Sequence, residues 1–137
     1  MPTIIAASGA LIALINSGDA HHEWAVEKVR PLPKPWIVCR AALIETTHHF
    51  KNHPRVLEEL IGQVAAFNIE DPEPVKVMEL MRRYAPAMDY ADACAVLLWR
   101  EHKTAMVVTT DHRDFSTYKV PFMSPKGTFR RDVDESP

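Results

Sequence analysis

Cysteine is nearly absent from the 137-residue chain. Cys39 and Cys94 stand 55 positions apart and make neither a disulfide framework nor a Cys-x-x-Cys metal site. Both read as buried thiols of a reducing cytoplasm. No apolar run reaches the roughly 18 to 20 residues that a bilayer span needs, so no membrane segment is expected. The apolar stretch from Ile4 to Ile15 has no basic segment before it and is interrupted by Ser8 and Gly9, which does not fit a signal peptide. An excess of one charge is also missing. Sixteen Lys and Arg against eighteen Asp and Glu leave a net charge of −2, so no global positive field marks a nucleic-acid binder, and a polyanion would need a local basic patch. Internal repeats and low-complexity tracts are absent.

What is present is ordinary globular material: 47% apolar and 25% charged residues, against disorder, collagen-like repeats and coiled coil. The length implies one domain, expected over residues 1–129 with a polar, frayed tail at 130–137. At this size folding buries roughly two-thirds of the chain's surface, enough for a core.

Along the chain, Thr3-Ile4-Ile5-Ala6 reads as a strand, followed by a helix through Ala10, Leu11, Ala13, Leu14 and Ile15. Asp19 is placed to cap a second helix that Pro31 stops. The stiff Pro31-x-Pro33-x-Pro35 segment leads to the buried strand Trp36-Ile37-Val38-Cys39 and a helix over 41–50. Pro54 opens a further helix with a stripe of Val56, Leu57, Leu60, Ile61 and Val64. Val75, Met78, Met81 and Tyr84 mark the next helix, residues 90–103 another, and 105–110 a β-branched strand. After Asp111 come a short helical turn and loops. Three short apolar strands separated by amphipathic helices, with no tight hairpin signal between them, predict a three-layer α/β domain: a central parallel sheet flanked by helices.

Ligands of such sheets sit beyond the carboxyl ends of the strands. The residues there are Ala6 and Ser8 after the first strand, Glu45 one turn into the helix after the second, Asp92 near the start of the last long helix, and Thr109, Thr110 and Asp111 closing the last strand. A charge such as Glu45 at strand-end depth is costly unless a donor or cation satisfies it. Oxygen-only clusters suit Mg²⁺ or Mn²⁺.

The blocks Ile4-Ile5-Ala6-Ala7-Ser8-Gly9-Ala10-Leu11-Ile12-Ala13-Leu14, Leu43-Ile44-Glu45-Thr46, Met88-Asp89-Tyr90-Ala91-Asp92-Ala93 and Val108-Thr109-Thr110-Asp111-His112-Arg113-Asp114-Phe115 resemble, in order and across almost the whole chain, the four signature blocks of PIN-domain ribonucleases, specifically the small VapC-type toxins. The resemblance implies a PIN-like fold and an acidic pocket that holds one or two Mg²⁺ or Mn²⁺ ions and cleaves RNA. Glu45 matches the family's second acid, Asp92 the third and Asp111 the fourth. Asp89 and Asp114 match extra acids beside them, and Ser8 and Thr110 match hydroxyls that orient acids or waters. Ala6 stands where the family has its first Asp. A Mg²⁺ clamp demands near-octahedral geometry, so losing one inner ligand weakens metal binding and misplaces the attacking water. The expected result is impaired cleavage with folding intact. The resemblance also implies a homodimer and a cognate antitoxin, whose Arg in the acidic cleft would displace metal.

Plainer roles stand beside these. Asp89-x-x-Asp92 and Asp111-x-x-Asp114 have the spacing of helix N-caps. Glu45 has Arg40 or Lys51 as salt-bridge partners within reach. His48, His49 and His53 invite a zinc site, which Pro54 and the lack of a His-Glu-x-x-His order argue against. His21 and His22 read as surface residues, and Met78, Met81 and Tyr84 as core or subunit interface. Candidate RNA contacts are Arg82, Arg83, Arg113, Lys119, Lys126, Arg130 and Arg131, with Trp36, Phe115 or Tyr118 stacking on bases. Most of these cations read as a solvated face, and Arg113 as the exception at the mouth of the acids. Two rival readings remain: a catalytically inactive PIN-fold module that holds RNA or protein, and a flavodoxin-like regulator phosphorylated at Asp92 or Asp111.

Overall fold

The computed structural model describes residues 2–130; the predicted tail from 131, with Arg131, lies outside them. Strand β1 (Ile4–Ala6) leads into α1 (Ser8–Ile15). Helix α2 (His22–Trp24) widens into a π-helical turn over Ala25–Val29. Strand β2 (Trp36–Val38) is followed by α3 (Arg40–His49) and α4 (Pro54–Val64). The chain then forms β3 (Phe67–Ile69), α5 (Pro74–Arg83), α6 (Tyr90–Glu101), β4 (Met106–Val108), α7 (His112–Tyr118), β5 (Phe122–Ser124) and β6 (Gly127–Phe129).

The strands build one sheet in the order β3-β2-β1-β4-β5-β6, parallel except for the β5–β6 hairpin. Strands β1, β2 and β4 are buried along their whole length, as continuous apolar runs covered on both faces require. Helix α1 packs on α3, α5 packs on α6, and α6 lies against β1 and β4. The chain leaves β1 on one side for β2 and β3 and returns on the other side for β4, so the topological switch falls between β1 and β4, where Ala6 pairs with Val108. That order differs from the 2-1-3-4-5 of flavodoxin-like folds, so the phosphoacceptor reading loses its frame.

The structure corrects the sequence expectation in two places. The sheet has six strands rather than three among the described residues. β3 escaped because Phe67-Asn68-Ile69 is a three-residue edge with Asn68 exposed, which leaves no apolar run to read. Beyond the three strands read from the sequence, β5–β6 adds an antiparallel hairpin, whose turn Ser124-Pro125-Lys126-Gly127 carries Pro and Gly where a tight turn favours them, with Gly127 at φ 133° and the Ser124 hydroxyl accepting from the Lys126 N–H. The stripe of α4 is buried at Leu60 but leaves Ile61 74% exposed.

Candidate functional site

Two helix starts and two strand ends converge at the switch point. Asp89 N-caps α6, its Oδ1 accepting from the Asp92 N–H at 2.8 Å. Asp111 N-caps α7 in the same way, accepting from the Asp114 N–H at 3.0 Å. The capping roles read from the spacing are therefore present, and they also aim the acids. The carboxylates of Asp92, Asp111 and Asp114 offer oxygens that all lie within 4.8 Å of one another. The Tyr118 hydroxyl donates to Asp92 Oδ2 at 3.2 Å, and Thr109 Oγ1 accepts the Asp111 N–H at 3.0 Å.

Glu45 lies outside that trio. Ser8 Oγ donates to its Oε1 at 2.7 Å, which ties the start of α1 to α3 across 37 positions of sequence. The salt bridge expected from Arg40 is a correction: Arg40 pairs with Asp71 instead, through both its backbone N–H and its guanidinium. A hydroxyl rather than a cation satisfies Glu45 because Ser8 stands one residue past Ala7, whose N–H still bonds Val108 and fixes the turn out of β1.

Ala6 is buried beside this constellation, 2% exposed, and with Ser8, Cys39 and Asp92 it lines a hollow of about 10 Å³. The hollow is at the lower limit of what one water needs, and the Ala6 methyl offers it no donor or acceptor. Gly9 is required next door: a Cβ there would lie 2.1 Å from Thr110 Oγ1 and 3.3 Å from Thr110 Cβ. The predicted hydroxyl Thr110 thus packs against the first turn of α1.

Crowding of like charge shows in the proton affinities. Burial first, and then the charge of Asp89, with Asp111 and Asp114 adding, pushes Asp92 up to about 7 against a usual 3.8; the Tyr118 hydrogen bond opposes this. Burial raises Glu45, with Ser8 opposing. Sharing with the Asp111 carboxyl raises Asp114, and the Arg113 guanidinium opposes it. Three oxygen-only ligands held at this spacing, one of them raised to about 7 by burial and by its acidic neighbours, fit a hard divalent cation.

Other candidates are placed elsewhere. Helix α3 ends at His49, and the left-handed Lys51 and Asn52 (φ 53° and 56°) turn the chain so that His53 Nδ1 accepts the Arg55 N–H as the cap of α4. His22 Nδ1 meets the Ala13 carbonyl at 2.7 Å. The base-stacking expectation is corrected outright: Trp36, Phe115 and Tyr118 are 2%, 0% and 5% exposed and belong to the core. Met78 is exposed, while Met81 and Tyr84 pack against the core. Sequence reasoning missed Tyr118 as the hydrogen-bond partner of Asp92. Cys39 and Cys94 are both free and buried, as expected. A second group, Glu70, Glu101 and His102, is similarly close, with His102 Nε2 at hydrogen-bond distance, 2.8 Å, from Glu70 Oε1. No helix among the described residues is long and apolar enough to cross a membrane.

Comparison with solved structures finds the crystal structure of VapC20 from Mycobacterium tuberculosis, described as a sarcin-ricin-loop-cleaving toxin. It superposes with a TM-score of 0.69 at 15% identity, covering 84% of this chain and 95% of that one. None of the protein-family models matches the chain, and no curated protein matches it. At this identity the likeness carries the fold, and the fold is PIN-like.

Proposed function

We propose that the chain is a metal-dependent endoribonuclease of the VapC toxin type whose cleavage is impaired by Ala6. The observation that carries the reading is the trio of Asp92, Asp111 and Asp114, with carboxylate oxygens within 4.8 Å of one another at the switch point of a sheet that shares its fold with an RNA-cleaving toxin. Those three residues would hold Mg²⁺ or Mn²⁺. Such an ion supplies charge neutralisation for the phosphate under attack and a lowered pKa for water.

The chain's own residues do the rest. Asp89 and Asp111, as helix caps, fix where the carboxylates stand. Tyr118 holds one oxygen of Asp92 and leaves the other free. Glu45, oriented by Ser8 and raised in proton affinity by burial, is suited to take a proton from an attacking water. Ala6, at the position of the family's first Asp, contributes no oxygen, which leaves the ion one ligand short.

In this reading the partners are RNA, a second copy of the chain and an antitoxin. Exposed Ile44, Val75 and Met78, between 56% and 66% accessible, support burial against protein. An arginine from the antitoxin would relieve the repulsion among the acids and exclude metal.

Pooled labelled RNA incubated in Mn²⁺ or Mg²⁺, with EDTA controls, tests the reading on three proteins: this chain, Ala6→Asp, and Ala6→Asp with Asp92→Asn. Cleavage by Ala6→Asp alone, abolished by EDTA, is expected. If none of the three cuts, the nuclease reading falls. The buried methyl of Ala6 then favours the second reading, a PIN-fold module that binds RNA or protein without cleaving.

A further inference from the structure

A chain with a net charge of −2 needs a local concentration of cations to hold a polyanion, and the groove between α5 and α6 provides one. Lys76, Arg82 and Arg83 of α5 and Arg100 of α6 line a cavity of about 510 Å³, with Glu79 as the acid in its wall, a local balance of four cations against one anion. Leu80 lies beneath them, anchoring α5 in the core. All four cations are exposed. None takes part in an ion pair among the described residues; the pairs found are Arg40–Asp71 and His102–Glu70. Three of the four are arginines, whose planar forks match the oxygens of a phosphodiester.

The groove also has a fixed relation to the acids. Asp92 and Arg100 share α6, and eight residues at the helical rise set their Cα atoms about 12 Å apart along its axis, a distance a few nucleotides span.

We propose that this groove is an RNA-backbone exosite: Lys76, Arg82, Arg83 and Arg100 hold the phosphates of a single strand that runs on from the acid cluster. The choice of RNA among polyanions rests on the nuclease reading above. The groove reads charge and not sequence, since it offers phosphate-binding cations and no exposed aromatic to stack on a base.

The test is fluorescence anisotropy of a labelled, mixed-sequence single-stranded RNA binding to the full chain in EDTA, titrated with salt. Replacing three cations (Arg82→Gln, Arg83→Gln, Arg100→Gln) should weaken binding about ten-fold and flatten the logarithmic salt dependence by about 2, at ~0.7 for each phosphate no longer neutralised. The same charge removed elsewhere (Lys28→Gln, Lys51→Gln, Arg55→Gln) should leave the slope unchanged. The triple Arg82→Lys, Arg83→Lys, Arg100→Gln variant, which restores two charges, should recover most of it. Equal loss from the groove and control variants overturns the exosite. So does competition by polyglutamate as effective as by unlabelled RNA, which would make the groove a seat for an acidic polypeptide. Cleavage by Ala6→Asp in Mn²⁺ is scored separately. Groove-dependent binding without cleavage overturns the nuclease reading and keeps the exosite; cleavage with groove-independent binding does the reverse.

Discussion

The acid cluster and the basic groove are two charged features of the surface, and they are built in opposite ways. The acids are short side chains whose positions are fixed by backbone and hydroxyl donors: two helix caps, the Tyr118 hydroxyl on Asp92, and Ser8 on Glu45. The cations of the groove are long, exposed and outside any ion pair among the described residues. Burying a carboxylate and setting like charges beside it costs electrostatic energy, visible in Asp92, which burial first and then its neighbours' charge push up to about 7. Leaving cations on flexible, hydrated stems costs little until a ligand arrives. The first arrangement is preorganised and suits an ion of demanding geometry; the second suits attraction to a charged backbone in any sequence. It follows that substitutions around the acids should move stability strongly, and those in the groove should not.

The largest effect is expected beneath the acids. Phe115 is fully buried, edge-on to Tyr118 at 5.1 Å and near Phe122 at 6.3 Å, and it seats the helix that Asp111 caps. Phe115→Ala should cost about 3–5 kcal/mol in urea unfolding. A loss below about 1 kcal/mol would mean that α7 is not anchored through this ring.

The raised acids, lifted by burial first and by neighbouring charge second, predict a pH dependence of definite sign. Below pH 3.8 Asp92 is protonated in the folded and unfolded chains alike, and it has no effect. As pH rises from 3.8 towards 7 the unfolded chain gives up this proton while the folded one keeps it, so stability falls over that window and levels off above it. Glu45 and Asp114, raised as well, act in the same direction. Melting curves in EDTA should therefore show the wild type losing stability across the window and Asp92→Asn losing much less. Mn²⁺ should recover the loss at neutral pH, since the ion takes the place of the proton. Parallel curves for the two proteins would show that Asp92 is not raised in the folded chain.

A finer cut separates position from charge. Asp111→Asn and Asp111→Ala delete the same charge, but Asn still caps α7, so the Ala variant should be about 1 kcal/mol less stable. Carboxyl titration by NMR should show Asp92 moving down in both, because Asp111 contributes to its elevation. Equal stability of the two variants would show that the cap is dispensable and that the acid is placed by something else.

Most of this frame was legible in the sequence because it rests on local signals. Strands β1, β2 and β4 are buried on both faces and read as apolar runs, and the caps Asp89 and Asp111 announce their helices by spacing. What failed to show depends on distant pairing. Glu45 takes its donor from Ser8, 37 positions away, whereas local reasoning offered Arg40, which is drawn off by Asp71. Tyr118 looks like a base-stacking aromatic until α7 folds it inward onto Asp92. The edge strands β3 and β6 are half-buried or exposed and so present no apolar run, and β5, though buried, is a short stretch closed at once by a turn, although the Pro125 to Gly127 turn did carry a signal. The groove is the extreme case: Lys76 and Arg100 become neighbours through the packing of α5 on α6, and neither stands out in its own stretch of sequence.

The smallest expected effect is the sharpest test of the comparison. The groove cations are exposed, their charged heads are hydrated, and they crowd one another across a surface with a single intervening acid. Replacing Arg82, Arg83 and Arg100 by Gln therefore breaks no ion pair among the described residues and relieves a little like-charge repulsion. Each exposed substitution should stay within about 0.5 kcal/mol, and the triple variant should melt like the wild type at low salt or slightly above it. Added salt should then narrow the difference, since screening weakens repulsion between exposed charges. A clear loss of stability would mean that the arginine stems pack α5 onto α6, which would make the groove part of the scaffold and erase its contrast with the acids.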